Sequence, residues 1–110
     1  MRRVNEAVRE VVSMHIADDL RDPRVGFVTV TSVETSTDLR HARVYVTVLG
    51  DEDARGAALA GLGSASGFLQ AQIARELRMK NTPTLDFVYD ETTDRGFRID
   101  QLIREEEGRG

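Results

Sequence analysis

The prediction of secondary structure in this chain depends on the stretch Gly63-Ser64-Ala65-Ser66-Gly67, GSASG. It interrupts residues 59–80, LAGLGSASGFLQAQIARELRMK, whose apolar residues otherwise have helical spacing. A glycine inside a helix costs about 1 kcal/mol relative to alanine, and serine is also a weak helix former. We therefore predict two helices, residues 51–63 and 67–79, joined by a sharp kink of small residues.

Both flanks of the stretch support this prediction. Asp51 is suited to cap the first helix, with Glu52 and Asp53 favourably placed in its first turn. Apolar side chains recur every four residues in each helix, as Ala54, Ala58 and Leu62 before the stretch and Leu69, Ile73 and Leu77 after it.

The remaining sequence predicts one more helix and three strands. Residues 2–20 carry one apolar stripe, which Pro23 and Gly26 bring to an end. Residues 27–36 and 41–50 are rich in valine and threonine and are close enough for an antiparallel hairpin. In the first strand Val33 is out of phase with Val28 and Val30, which indicates a bulge near Thr31-Ser32.

Residues 84–90, TLDFVYD, predict the third strand, and residues 97–107 have the pattern of a short terminal helix. The predicted fold class is α+β, a two-layer domain with helices on one face of a three-stranded sheet and the other face open. We expect one domain over residues 1–104 and a flexible tail over residues 105–110.

The composition excludes several classes of protein. The chain has 110 residues and no cysteine, so disulfides, thiolate metal sites and cysteine nucleophiles are ruled out. No apolar run approaches the roughly 20 residues of a membrane span, and no secretory signal is apparent, so we expect a cytoplasmic protein. The histidines and serines lack the partners of a zinc site or a nucleophilic triad. We predict no catalytic residue, no metal and no cofactor.

The charge is acidic overall but basic locally. The net charge is −4, yet residues 54–80 carry four basic side chains against one acidic, a net of +3. This basic region contains the GSASG stretch and includes Arg75, Arg78 and Lys80. The local field matters more than the total charge to a polyanionic partner, so the region is a candidate for RNA binding. The alternative is that arginine richness reflects the base composition of the genome.

A second helix that began at Gly67 would offer unpaired amide groups and a positive dipole end to an anion. Ser64 or Ser66 could cap those amides instead, which would make the joint purely structural. At 100° per residue, Gly67, Ala71 and Arg78 share one side of the helix and Arg75 lies close by. Two readings remain open on these features, an RNA anchor and a simple helix kink.

Three further arginines are weaker candidates for RNA binding. Arg43 and Tyr45 project from the open sheet face, where they are suited either to stack a base or to form an ordinary cross-strand pair. Arg2 and Arg3 are placed to reach phosphates from the first helix, or equally to be solvated at the terminus.

From about Val4 to Ile103 the chain resembles the ribosome-binding factor A family. Three stretches carry the resemblance, in this order: IADDLRDPRVGFVTVTSVETSTDLRHARVYVTVLG, ASGFLQAQIARELRMKNTPTLDFVYD and GFRIDQLI. The resemblance implies a type II KH-like domain in which Ala65-Ser66-Gly67 forms an Ala-x-Gly kink. It also implies binding to 16S rRNA and the free small ribosomal subunit, late maturation of the rRNA 5′ end, a role in cold adaptation, and no catalysis.

One position departs from the family pattern, because Gln70 stands where an arginine is usual. We therefore expect the phosphate contacts to come mainly from the basic residues that follow, Arg75, Arg78 and Lys80. The resulting RNA-binding prediction comprises Ala65, Ser66, Gly67, Gln70, Arg75, Arg78, Lys80, Arg2, Arg3 and Arg43. We expect a monomer, with assembly GTPases as further candidate partners. The alternative function is a protein-interaction domain that pairs through its open sheet face, where Leu49 and Val88 are exposed apolar candidates.

Overall fold

The structure is a computed structural model, which describes residues 2–92. Its elements are α1 (Arg2–Asp18), β1 (Val28–Thr35), β2 (His41–Val48), α2 (Glu52–Leu77) and β3 (Thr84–Tyr89). The predicted terminal helix over residues 97–107 and the predicted flexible tail lie outside the described residues.

The three strands form one sheet in the order β1-β2-β3. β1 and β2 are antiparallel, and their register shifts between Val30 and Ser32, which confirms the predicted hairpin and bulge. β3 lies parallel to β2, so α2 is the crossover that carries the chain from one strand to its parallel neighbour.

The core lies between the sheet and the two helices. Alternation along β2 buries Ala42, Val44 and Val46 completely, while the intervening side chains face away from the helices. The helices contribute fully buried side chains to the same core, Val8 and Val12 from α1 and Leu62, Leu69 and Ile73 from α2. Helices cover one face of the sheet and leave the other open, which confirms the predicted α+β class.

The predicted division of residues 51–79 into two helices is wrong. α2 runs without interruption through 26 residues, and GSASG lies inside it. Small residues weaken a helix but do not prevent its backbone hydrogen bonds, and the Ser66 hydroxyl donates to the Gly63 carbonyl oxygen at 2.8 Å. Full burial of a leucine is worth about 1.5–3 kcal/mol, so Leu62 and Leu69, on either side of the stretch, outweigh a glycine cost of about 1 kcal/mol each.

The position that requires a very small residue is instead Gly61, where the loop between α1 and β1 packs against α2. A Cβ atom at Gly61 would lie 2.9 Å from Val25 Cγ2 and 3.4 Å from both Arg24 Cβ and Asp22 Oδ2. Arg24 is fixed there, because its Nη2 donates to Asp22 Oδ2 at 2.6 Å and to Ser64 Oγ at 3.3 Å. Gly61 therefore permits the loop to approach the helix.

Candidate nucleic-acid interface

The outward face of α2 carries almost no side chains. Its exposed positions at helical spacing are Gly56, Ala60, Gly63, Gly67, Ala71 and Ala74. Within the described residues, nothing beyond the neighbouring backbone would lie within 4 Å of a Cβ atom at Gly63 or Gly67. These glycines are not required by internal packing, and they allow an external molecule to come close to the helix backbone.

The predicted anion site at the start of a second helix is absent from the described structure. Since α2 is continuous, the amides of Ala65, Ser66 and Gly67 lie in its interior, whereas unpaired amides occur only in the first turn of a helix. That first turn begins near Asp51, whose carboxylate accepts from the Ala54 amide at 2.9 Å and confirms the predicted cap. Residues 65–67 therefore offer no unpaired backbone amide: Ala65 packs partly buried against the core, Ser66 is half-buried and Gly67 is exposed.

The end of α2 is basic and exposed. Arg75, Arg78 and Lys80 are all exposed, and none of them forms an ion pair with another residue among positions 2–92. Arg78 caps the helix in the left-handed conformation, with φ 48° and ψ 42°. That conformation costs a non-glycine residue about 1–2 kcal/mol, so an arginine is held where glycine would be preferred. Strained exposed residues of this kind are often functional.

The acidic residue of this region, Glu76, contacts α1. The Glu76 carboxylate lies 2.7 Å from His15 Nε2, and the Asp19 carboxylate contacts the other ring nitrogen, Nδ1. The hydrogen bond to Asp19, followed by that to Glu76, raises the pKa of His15. His15 thus joins the end of α1 to α2, and its two carboxylate partners are engaged with the ring.

Gln70 faces the protein itself. Its side-chain oxygen accepts a hydrogen bond from the Leu85 amide at 3.1 Å, which links α2 to the start of β3. The two N–H donors of its amide nitrogen and the second lone pair of its oxygen remain for an external ligand, and the RNA contact of Gln70 stays a prediction. An arginine at this position could not accept from the Leu85 amide, because a guanidinium has donors only.

The structure does not bring Arg43, Arg2 and Arg3 together with the end of α2. Arg43 lies on the open sheet face, in register with Glu34 on β1 and Asp86 on β3, so two carboxylates flank it. Its Nη1 donates to the Tyr45 hydroxyl at 3.3 Å, and this hydrogen bond raises the pKa of Arg43.

Arg2 and Arg3 are exposed in the first turn of α1. Along the α1 axis they lie about 20 Å from His15, the residue through which α1 reaches Glu76.

Two residues that lie on or against α2 escaped the sequence-based prediction. Arg24 reaches Ser64 across 40 positions of sequence, a contact that no local pattern indicates. Phe68 is 42% exposed and packs edge to face against His15, with ring centroids 6.0 Å apart. Its position was predictable, because in a continuous helix Ser64, Phe68 and Arg75 fall on one flank.

Two further observations bear on the class of site. Within residues 2–92, no cluster of three His, Cys, Asp or Glu side chains is suited to hold a metal ion. Neither α1 nor α2 is both long enough and apolar enough to span a bilayer.

Comparison with known proteins identifies close relatives across nearly the whole chain. The family model described as Ribosome-binding factor A matches residues 1–103. A Geobacter metallireducens protein named Ribosome-binding factor A is 47% identical over 103 residues, which cover 94% of this chain and 87% of that protein. A protein of the same name from Anaeromyxobacter sp. strain K is 50% identical over 109 residues, covering 98% and 79% respectively.

Solved structures of similar proteins share the fold. The crystal structure of ribosome-binding factor A from Thermus thermophilus matches with a TM-score of 0.71 and 32% identity, covering 80% of this chain and 93% of that one. A homology model of the Thermus thermophilus protein, fitted into a cryo-electron-microscopy map of a complex with the 30S subunit, matches with a TM-score of 0.66 and 31% identity, covering 79% and 91%.

Proposed function

Because the chain belongs to the ribosome-binding factor A family, we propose that it is an assembly factor that binds 16S rRNA in the free small ribosomal subunit. The KH-like α+β fold and a relative fitted into a 30S complex support this partner. The finer proposal is that binding promotes late maturation of the rRNA 5′ end. The chain would do this by favouring one arrangement of the rRNA, since differential affinity alone shifts a conformational equilibrium.

The basic end of α2 is the single observation that best supports an RNA interface. Arg75, Arg78 and Lys80 are exposed cations without an ion-pair partner in residues 2–92, so they can neutralise phosphates without first breaking a salt bridge. Arginine also suits phosphate because its guanidinium donates two parallel hydrogen bonds. Gly63 and Gly67, which are exposed two to three turns before Arg75 on the same helix, carry no side chain that would hold a phosphate backbone at a distance.

Sedimentation with purified free 30S subunits tests the proposal. We expect the unmodified chain to migrate with 30S particles in a sucrose gradient, and an Arg75→Ala, Arg78→Ala double variant to be released into the upper fractions. The matched control is Arg9→Ala, Arg40→Ala, which removes the same charge from α1 and from the turn between β1 and β2, at two positions outside the predicted RNA-binding set. Equal loss of binding in both doubles would contradict the α2 interface, and no cosedimentation of the unmodified chain would contradict the function.

Maturation of the rRNA needs a separate measurement. In cells that lack the protein, we expect 16S rRNA with an extended 5′ end to accumulate, more strongly at low growth temperature. Primer extension on rRNA from free 30S subunits measures this, and complementation by the double arginine variant should be incomplete. A normal 5′ end at all temperatures would contradict the maturation role while leaving subunit binding intact. Contacts with assembly GTPases and a monomeric state stay predictions.

A protein-interaction surface is the second candidate, and one observation favours it. Phe27 and Leu49 are 79% and 75% exposed, and the Leu49 amide donates to the Phe27 carbonyl at 3.1 Å, so two large apolar side chains adjoin at the end of the hairpin. A Phe27→Ser, Leu49→Ser variant separates the two functions. The rRNA interface predicts unchanged 30S binding, whereas loss of binding here, with binding retained in the double arginine variant, would favour the protein-interaction surface.

A further inference from the structure

Phe68 is an aromatic side chain that the fold leaves partly in solvent beside the basic end of α2. Four large hydrophobic side chains are exposed among residues 2–92, and of these Phe68 lies on α2, with 42% of its surface accessible. The neighbouring leucine on the same helix, Leu69, is fully buried. Leu69 is therefore part of the core, whereas the larger ring of Phe68, which precedes it in the sequence, is not.

Guanidinium groups lie on both sides of this ring along the helix. Ser64 precedes Phe68 by one turn, about 6 Å along the axis, and its hydroxyl accepts from Arg24 Nη2 at 3.3 Å. Arg75 follows Phe68 by two turns, about 10 Å along the axis, on the same flank. Along this flank the aromatic ring of Phe68 therefore lies between two cations, Arg24 on one side and Arg75 on the other.

The ring is held in place before any ligand arrives. His15 meets it edge to face, at an interplanar angle of 89°, and His15 is itself fixed by Asp19 and Glu76. A ring that is already oriented loses little conformational freedom on binding. The carboxylates of Asp19 and Glu76 are engaged with the imidazole, and Asp22 offsets part of the charge of Arg24.

We propose that Phe68 is a stacking platform for an unpaired base of 16S rRNA, with Arg75 and Arg24 contacting phosphates on either side. This inference rests on the proposed function and assigns one site within it. Single-stranded RNA is commonly bound by aromatic side chains on which bases stack, within a basic groove that follows the phosphates. Cations on both sides of the ring favour a polyanion over an apolar protein segment, and exposed Gly63 and Gly67 leave room for the strand.

Substitutions that separate aromaticity from size test the stacking. Phe68→Leu keeps an apolar side chain against His15 but removes the ring, and Phe68→Tyr keeps the ring. Stacking predicts that Phe68→Leu weakens binding to 30S subunits roughly 5- to 150-fold and that Phe68→Tyr binds within a few fold of the unmodified chain. Urea unfolding of each variant verifies that the fold persists. Equal affinities for Phe68→Leu and the unmodified chain would overturn the inference.

Tryptophan fluorescence supplies a direct readout, because the chain contains no tryptophan. In Phe68→Trp we expect quenching of the indole on titration with 30S subunits, since a stacked base quenches it, while Phe27→Trp at the hairpin end stays unchanged. Quenching absent from a Phe68→Trp variant that still cosediments overturns the stacking and leaves the proposed function standing. Failure of the unmodified chain to cosediment overturns the proposed function itself. A blue shift with crosslinks from position 68 to a ribosomal protein identifies a protein contact and also overturns the inference.

Discussion

Two glycines one half-turn apart on α2 should respond in opposite ways to the same substitution. Gly63→Ala adds a Cβ atom where no packing atom of the described structure lies within 4 Å. Gly61→Ala adds one that would lie 2.9 Å from Val25 Cγ2, closer than side-chain carbons approach each other in folded proteins. The pair isolates the loop contact, because the residue type, the helix and the chemical change are identical.

The expected changes in the free energy of unfolding follow from two opposing contributions. Replacement of a helical glycine by alanine gains about 0.8–1 kcal/mol of helix propensity at either position. At Gly61 overpacking subtracts about 1–3 kcal/mol, because Val25 is buried and its branched side chain has little rotamer freedom. We expect Gly63→Ala to raise the free energy of unfolding by about 1 kcal/mol, and Gly61→Ala to change it by between about 0 and −2 kcal/mol.

Urea unfolding with linear extrapolation measures both values, and thermal unfolding should separate the two variants by about 4–8 °C per kcal/mol. A double-mutant cycle with Val25→Ala identifies the cause, because removal of Cγ2 should convert Gly61→Ala from destabilising to stabilising. If Gly61→Ala stabilises as much as Gly63→Ala in the unmodified background, the loop does not approach α2 as described.

Four other predictions each concern one or two residues. The pKa of His15 in the folded chain is raised above its usual 6.5. The stability that its two carboxylate partners contribute is therefore fully present below pH 6.5 and is lost as the pH rises through the folded pKa. His15→Gln should flatten this pH dependence, measured by urea unfolding at several pH values. Loss of Arg75 and Arg78 should lower the slope of log affinity for 30S subunits against log salt by about 1.4, measured by titration at several salt concentrations. Gln70→Ala leaves the Leu85 amide without its acceptor and should cost about 1 kcal/mol in urea unfolding. Arg78→Gly should stabilise the chain by about 1–2 kcal/mol by relieving the left-handed conformation, yet weaken 30S binding by removal of a cation.

Much of the fold could be predicted from local patterns because each element carries its own signal. The alternation along β2 indicates its register, the out-of-phase Val33 indicates the bulge, and Asp51 indicates the start of the helix. Each of these three predictions is confirmed. Such features depend on neighbours within a few residues, which periodicity and capping rules describe well.

The single long helix could not be predicted in the same way, because its stability comes from partners far away in sequence. Intrinsic propensity is a weak preference that tertiary burial overrides, and here the burial of Leu62 and Leu69 against the sheet decides the outcome. The candidate site shows the same limit. The exposed cations and the glycines were evident from sequence, but Arg24 beside Ser64 and Glu76 bound to His15 are long-range contacts.

The glycines of GSASG therefore have a different explanation from the one their sequence suggests. A kink would have made them necessary to the fold, yet a continuous helix with open space around Gly63 and Gly67 would be more stable with alanine at both positions. A residue that lowers the stability of the free chain without a packing reason is best explained by a molecule that approaches the helix from outside. A strand of RNA that follows the cations from Arg24 to Arg75 would come within contact of this face. Gly67→Ala tests that step: we expect a more stable chain that binds 30S subunits more weakly, and equal or tighter binding would show that nothing approaches the helix there.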